Sequence, residues 1–252
     1  MIMKSSNLHS SFIAVIILIG IMFFVITIHY FGKNRTERSE DSFGLGGRAN
    51  EDDNYIIVNI HSNNEYHEFS AEYPVFCMNE KISKEIITYV LQELNYFQGA
   101  EPKEYDLCEQ SEALGFVFRL GKEYKMTADI GVEEIKISDS YINAVLDCYY
   151  FEGGAHGNNA KKAFCYDKQK KCILKITDIP NIDLGKCYNS IFSHLKNGVY
   201  YEDENICNLV ESFSDFAYDG KMLTIYLKQG EFLPRCEGCP KVTLSPQEWA
   251  GV

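Results

Sequence analysis

Polar positions almost vanish at the start of the chain: residues 12–28 read FIAVIILIGIMFFVITI. At about 1.5 Å rise per residue, such a run is just long enough to cross a bilayer as a helix. No small-x-small cleavage site precedes Lys33, so the pattern predicts an uncleaved signal anchor over residues 12–31, behind a short tail of residues 1–11. Polarity takes over through residues 32–52, which include Gly44-Leu45-Gly46-Gly47 and show no hydrophobic period, the pattern of a flexible tether. Alternation then begins. Tyr55-Ile56-Ile57-Val58-Asn59-Ile60 and residues 66–76 read as strands, with Pro74 at the exit of the second. Ile82, Ile86, Ile87, Val90, Leu91, Leu94 and Phe97 recur at steps of three and four, which predicts an amphipathic helix of about four turns, Asn79 standing at its N-cap.

Residues 98–113 are a polar connection. Strand-like runs follow at 115–130, 132–138 and 141–151. Residues 162–166 and 172–176 flank Asp167-Lys168-Gln169-Lys170, a hairpin signal. Leu184, Cys187, Tyr188, Ile191, Phe192 and Leu195 form one face of a second helix, with Asp183 as N-cap and Gly198 as its stop. A shorter helix is expected within residues 203–213. A hairpin about Asp219-Gly220 and a last strand at 242–244 close the chain. The order predicts an α+β domain with mostly antiparallel sheets and two or three packed helices, preceded by one transmembrane helix. It divides into an N-terminal half at 53–157 and a C-terminal half at 158–252.

Charge and cysteine content narrow the setting. With 36 acidic and 24 basic residues, the net charge of −12 argues against nucleic acid as a partner. Nine cysteines, all following the apolar run, suit an oxidising space better than a reducing one. The expected arrangement is a short tail inside and the main body outside the membrane.

The segment richest in candidate chemistry is Tyr150-Phe151-Glu152-Gly153-Gly154-Ala155-His156-Gly157. A catalytic histidine needs a nucleophile or carboxylate within reach, and no Gly-x-Ser-x-Gly elbow is present. His61, His67 and His194 are scattered and give no zinc-ligand spacing, so neither a metal nor a cofactor is expected. The glycines around His156 read as a backbone corner, a structural or binding feature rather than a catalytic one. Cys236-Glu237-Gly238-Cys239 is a C-x-x-C without the strand-to-helix context of a redox pair. Cys165 and Cys172 are expected opposite each other across the hairpin, as a disulfide. Glu133 and Glu134, adjacent on a strand, are expected on opposite faces.

The corner Gly153, Gly154, Ala155, His156 and Gly157, together with Tyr73-Pro74, the hairpin at Tyr166-Asp167-Lys168, Ile176-Thr177-Asp178-Ile179 and the late Phe232-Leu233-Pro234 run, resembles one bacterial extracytoplasmic domain. It is similar to the sensor half of anti-sigma-V factors and to the non-catalytic N-terminal half of some peptidoglycan deacetylases, in which a Tyr-x-Gly-Gly-Ala-His corner precedes an Asp-x-x-Thr-Gly-Lys hairpin. The resemblance covers residues 53–247. Asp167-Lys168-Gln169-Lys170-Lys171 departs from the family hairpin, and the cysteines are unusual for it. On this reading the short tail is expected to leave no room for a sigma-binding region, and no deacetylase domain is expected to follow. The resemblance therefore implies the bare domain tethered to a bacterial cytoplasmic membrane as a single-pass protein. Its expected role is a non-enzymatic binding or sensor module for lysozyme or a cell-wall component. The alternative is a peptidoglycan or polysaccharide hydrolase using His156.

Overall fold

The computed structural model describes residues 42–50, 55–64, 66–99, 125–153, 156–195, 209–230 and 232–251. The expected anchor over residues 12–31 and the helix stop at Gly198 lie outside them. Among the described residues no helix is long and apolar enough to cross a membrane.

Seven strands form one sheet, ordered along it as in the chain: β1 (Ser42–Asn50), β2 (Tyr55–Asn63), β3 (His67–Phe76), β4 (Met126–Ile137), β5 (Tyr141–Phe151), β6 (Asn158–Asp167) and β7 (Cys172–Ile173). All neighbours are antiparallel except β3 and β4, which run parallel. A parallel pair needs a long crossover, and the 20-residue helix α1 (Glu80–Gly99) lies in that connection. A smaller antiparallel sheet, ordered β10-β9-β8, is built from β8 (Phe216–Tyr218), β9 (Leu223–Tyr226) and β10 (Lys241–Leu244). Among the described residues three further helices accompany it: α2 (Leu184–His194), α3 (Leu209–Ser212) and α4 (Pro246–Trp249).

The burial pattern explains the layering. In β5, Ile142, Asn143, Ala144, Val145 and Leu146 are all buried. A strand with one wet face alternates, so an unbroken run means that both faces are covered. Ile142, Ala144, Leu146 and Cys148 pack in the core that contains Ile82, Ile86, Val90, Leu94 and Phe97 of α1. Val145 packs with Ala163, Ala217 and Tyr226 on the other face. There Cys165 joins a second core formed by Ile191 of α2, the small sheet and Trp249. The two faces are also tied by polar bonds. The Asn143 amide donates to the Tyr218 carbonyl and accepts from the Tyr218 N–H, each at 3.0 Å, so a side chain takes the place of a missing strand partner.

Several expectations change. The segment expected as a tether contains β1, which pairs along its whole length with β2, and Leu45 packs against the first core. Pro74 does not end β3, which continues to Phe76. The pairing to β4 stops at Ala71, so the missing N–H of Pro74 breaks no bond in that ladder. Residues 126–137 are one strand, with the register shifting between Val132 and Glu134. The sheet also runs without interruption across residue 157, since β5 pairs with β6 from Tyr141↔Asp167 to Tyr150↔Asn158. The glycine corner is therefore a hairpin connection within one sheet, and the two cores divide by sheet face rather than at the corner.

Candidate ligand-binding cleft

Helix α1 buries one stripe and leaves a flank beside it. Tyr89, Glu93 and Tyr96 stand at i, i+4 and i+7 on that flank, over the end of the sheet. Opposite them the chain supplies Tyr150 and Glu152 at the end of β5, residues 158–162 at the start of β6, and Asp215, Tyr226, Lys228, Gln229 and Arg235 from the second sheet and its loops. Together they line an open cleft of about 600 Å³. This is within the size range of small-molecule sites.

Its floor is aromatic. Phe97 is fully buried and stacks on Tyr150 with ring centroids 5.8 Å apart. The Tyr89 and Tyr150 hydroxyls lie 2.8 Å apart, and the Tyr89 hydroxyl is 3.4 Å from the Cys148 thiol. Burial raises both phenols above their ordinary range and pushes the Cys148 thiol up to about 11, so this thiol stays protonated and inert at neutral pH. Burial also raises the Glu93 carboxyl, and the nearby Glu152 adds to the rise, while the Tyr150 hydroxyl and the Lys162 ammonium offset part of it. Glu152 accepts a hydrogen bond from the Tyr96 hydroxyl at 2.9 Å, and Tyr96 remains half exposed.

The lysines of the floor are already paired. Lys162 contacts Asp215 at 2.9 Å and lies over the Tyr89 and Phe164 rings. Lys161 bridges Glu133 at 2.6 Å and Asp147 at 2.8 Å. On the far wall the Gln229 amide stitches loops together, accepting from the Asn159 N–H and donating to the Arg235 carbonyl. Lys228 has no ion-pair or hydrogen-bond partner among the described residues, and the Arg235 guanidinium makes only a long contact of 3.5 Å to Asn158.

The sequence-predicted site residues fall at the edge of this cleft. Gly153 has φ of +94°, a conformation that favours glycine. Gly154 and Ala155 lie outside the described residues. His156 is exposed, is not among the cleft residues, and has no partner among the described residues. A Cβ on Gly157 would collide with the Tyr149 ring. The corner thus holds Glu152 and Asn158, its two flanks, at the rim.

Two local expectations are corrected. Cys172 is paired in register with Asp167, whereas the Cys165 carbonyl accepts from Leu174, so Cys165 and Cys172 do not face each other and both thiols are free in this structure. The irregularity in β4 breaks the simple alternation of Glu133 and Glu134: Glu133 reaches Lys161 and Lys241, and Glu134 accepts from Tyr226, so both carboxylates face the second sheet's elements. Ser62 and His67 approach to 3.3 Å, but both are buried. Among the described residues, no three His, Cys, Asp or Glu side chains gather as a metal site.

No family model matches the chain. Over 126 residues, half its length, it is 28% identical to the peptidoglycan-N-acetylmuramic acid deacetylase PdaC of Bacillus subtilis (strain 168), and it spans 24% of that protein. Its fold is similar to the crystal structure of a DUF3298 family protein from Pseudomonas aeruginosa PAO1, with a TM-score of 0.51 at 11% identity, covering 85% of this chain and 93% of that one. A second DUF3298 family member, from Bacteroides fragilis NCTC 9343, gives a TM-score of 0.49 at 15% identity, covering 85% and 96%.

Proposed function

We propose that this chain is a membrane-anchored, non-enzymatic binding module of the bacterial cell envelope, holding its α+β domain outside the cytoplasmic membrane with the cleft under α1 as its ligand site. The observation that carries this reading is the cleft itself, an aromatic floor beside charged groups that have no ion-pair partner among the described residues. Partial likeness to a peptidoglycan deacetylase supports a wall component as ligand, and so does the resemblance to the non-catalytic half of such enzymes. The resemblance to anti-sigma-V sensors, with the net charge of −12, favours a basic protein such as lysozyme as a second ligand.

Catalysis is disfavoured by the chemistry of the groups present. Among the described residues, the Cys148 thiol is held protonated, Ser62 and His67 are buried, and His156 has no carboxylate partner. The test is co-sedimentation of the detergent-solubilised chain with insoluble peptidoglycan sacculi, paired with an assay for released sugars and acetate. The chain is expected in the pellet with no product released. Tyr96→Ala, at an exposed position on the cleft wall, is expected to return it to the supernatant. Release of soluble wall fragments, or no binding to either sacculi or lysozyme, would refute the reading.

A further inference from the structure

The charges lining the cleft are sorted by side. Lys161, Lys162 and Asp215 are neutralised within ion pairs of the fold. What remains is an acidic wall, Glu93 on α1 and Glu152 after β5, and a basic wall, Lys228 after β9 and Arg235 on the short 3-10 turn Arg235–Glu237. Neither acid forms a salt bridge among the described residues. Among the described residues Glu152 meets only the neutral Tyr96 hydroxyl, and Glu93 feels the repulsion of Glu152, offset in part by the Tyr150 hydroxyl and by Lys162. Arg235 and Lys228 are exposed, and the stitching of Gln229 to Asn159 and Arg235 holds their loop in place.

Resting on the binding-module reading, we propose that the cleft takes a zwitterionic peptide-type ligand, its ammonium on Glu93 and Glu152 and its carboxylate on Lys228 and Arg235. A cation on the acidic wall relieves the repulsion there and gains the negative faces of Tyr96 and Tyr150. A carboxylate on the basic wall receives the planar donor fork of Arg235. The aromatic floor between them suits small apolar side chains or methylenes. A phosphate-rich ligand meets the acidic wall and is repelled. A neutral glycan leaves four charged side chains unused, among them Glu93, whose charge burial already disfavours.

The ligand class is tested by calorimetric titration of the full chain in non-ionic detergent with dialanine, trialanine and tetraalanine. Each is compared with its C-terminal amide and its N-acetyl form, and N-acetylglucosamine tetramer serves as the neutral control. At least one free peptide is expected to bind, and blocking either end is expected to weaken it about tenfold, the combined effect of two partly exposed ion pairs. In a Lys228→Met/Arg235→Met variant, amidation is expected to make no further difference while N-acetylation still does. In Glu93→Gln the order reverses, with the acetylation effect reduced. Both variants change groups at the cleft surface, and unchanged thermal unfolding verifies their fold. Equal affinity for free and blocked peptides, tighter binding of the glucosamine tetramer, or peptide silence while sacculi still sediment would each overturn the zwitterion assignment and leave the binding module standing. Silence in both assays removes both.

Discussion

Asn143 offers the sharpest test of how the two layers are joined. It is buried on β5, and its amide exchanges two 3.0 Å hydrogen bonds with the backbone of Tyr218 on β8. Asn143→Ala strands a buried N–H and a buried C=O. At about 1–3 kcal/mol for each unsatisfied group, the loss is about 2–6 kcal/mol. The Tyr218 carbonyl keeps a weak contact from the Cys165 thiol at 3.8 Å, which places the expectation at the lower half, about 3 kcal/mol. That is a large share of a net stability of about 5–15 kcal/mol. Asn143→Asp is nearly isosteric and separates shape from hydrogen bonding. Ionised, it turns a second acceptor toward the Tyr218 carbonyl and buries a charge, so it costs more than alanine at neutral pH. Protonated, it donates to that carbonyl and accepts from the N–H, as asparagine does. The introduced acid has a folded pKa above its unfolded value of about 3.9, so stability is fully present below that value and is lost as pH rises through the folded pKa. The assay is urea unfolding followed by the fluorescence of Trp249, the single tryptophan, which packs edge-on against Tyr218 at 5.9 Å. A soluble fragment for this work must begin upstream of Ser42 to keep β1. A cost below about 1 kcal/mol for Asn143→Ala, or an aspartate variant with the parent's pH profile, would refute the argument.

Phe97→Ala removes a fully buried ring stacked on Tyr150 and is expected to cost about 3–5 kcal/mol in thermal or urea unfolding. The same change should loosen the cleft floor, so binding to sacculi falls even in conditions where the variant stays folded. Glu248 closes a capping box with Ser245 and pairs with His194 at 2.7 Å, which lowers its carboxyl to about 2, the Ser245 bonds contributing most. A depressed acid contributes stability above its unfolded pKa, so this contribution is expected to fade as pH falls from 4.5 towards 2 and to be absent in Glu248→Gln, which acid titration followed by Trp249 fluorescence would detect. Among the described cysteines, native alkylation mapped by mass spectrometry should label exposed Cys236 first and reach Cys148, Cys165 and Cys187 only on unfolding. Gly153→Ala, at φ of +94°, is expected to cost about 1–2 kcal/mol in unfolding measurements. Gly157→Ala should cost less, because the Tyr149 ring it meets is partly exposed and its far end has room to swing away.

The elements that were legible in the sequence are those whose pattern is set by one large buried surface. Helix α1 shows its period because Ile82, Ile86, Val90, Leu94 and Phe97 all meet the same sheet face. The turn at Asp219-Gly220 was legible because its chemistry is local: the Asp219 carboxylate accepts from Lys221 and Met222, and Gly220 takes φ of +98°. Strand β1 was not. Its Ser-Phe-Gly-Leu-Gly-Gly-Arg-Ala-Asn sequence has little strand propensity, and it is a strand because β2 offers it an open edge. Strand β5 hid its double burial in a run that also fits a buried helix segment, and Asn143 in that run looks like an ordinary polar interruption until Tyr218 arrives from 75 residues away.

The same distinction explains why the proposed cleft does not coincide with the strongest motif in the chain. A backbone corner needs its glycines side by side, because φ at Gly153 and clearance beside Gly157 are properties of a few consecutive residues. Such a demand leaves a compact mark in the sequence. A cleft makes no such demand. Its acidic wall comes from residues 93 and 152 and its basic wall from residues 228 and 235, brought together only when α1 and the small sheet pack on one framework. Each of these charges is unremarkable in its own segment, and what singles it out is the lack of an ion-pair partner among the described residues. One trace was available beforehand: Tyr89, Glu93 and Tyr96 repeat on the flank of a helix whose buried stripe is otherwise aliphatic and phenylalanine, an aromatic and acidic ridge that core packing alone does not require. The corner holds Glu152 and Asn158 where that ridge can face them, so its glycines position the rim while the groups proposed to read a ligand come from elsewhere in the chain.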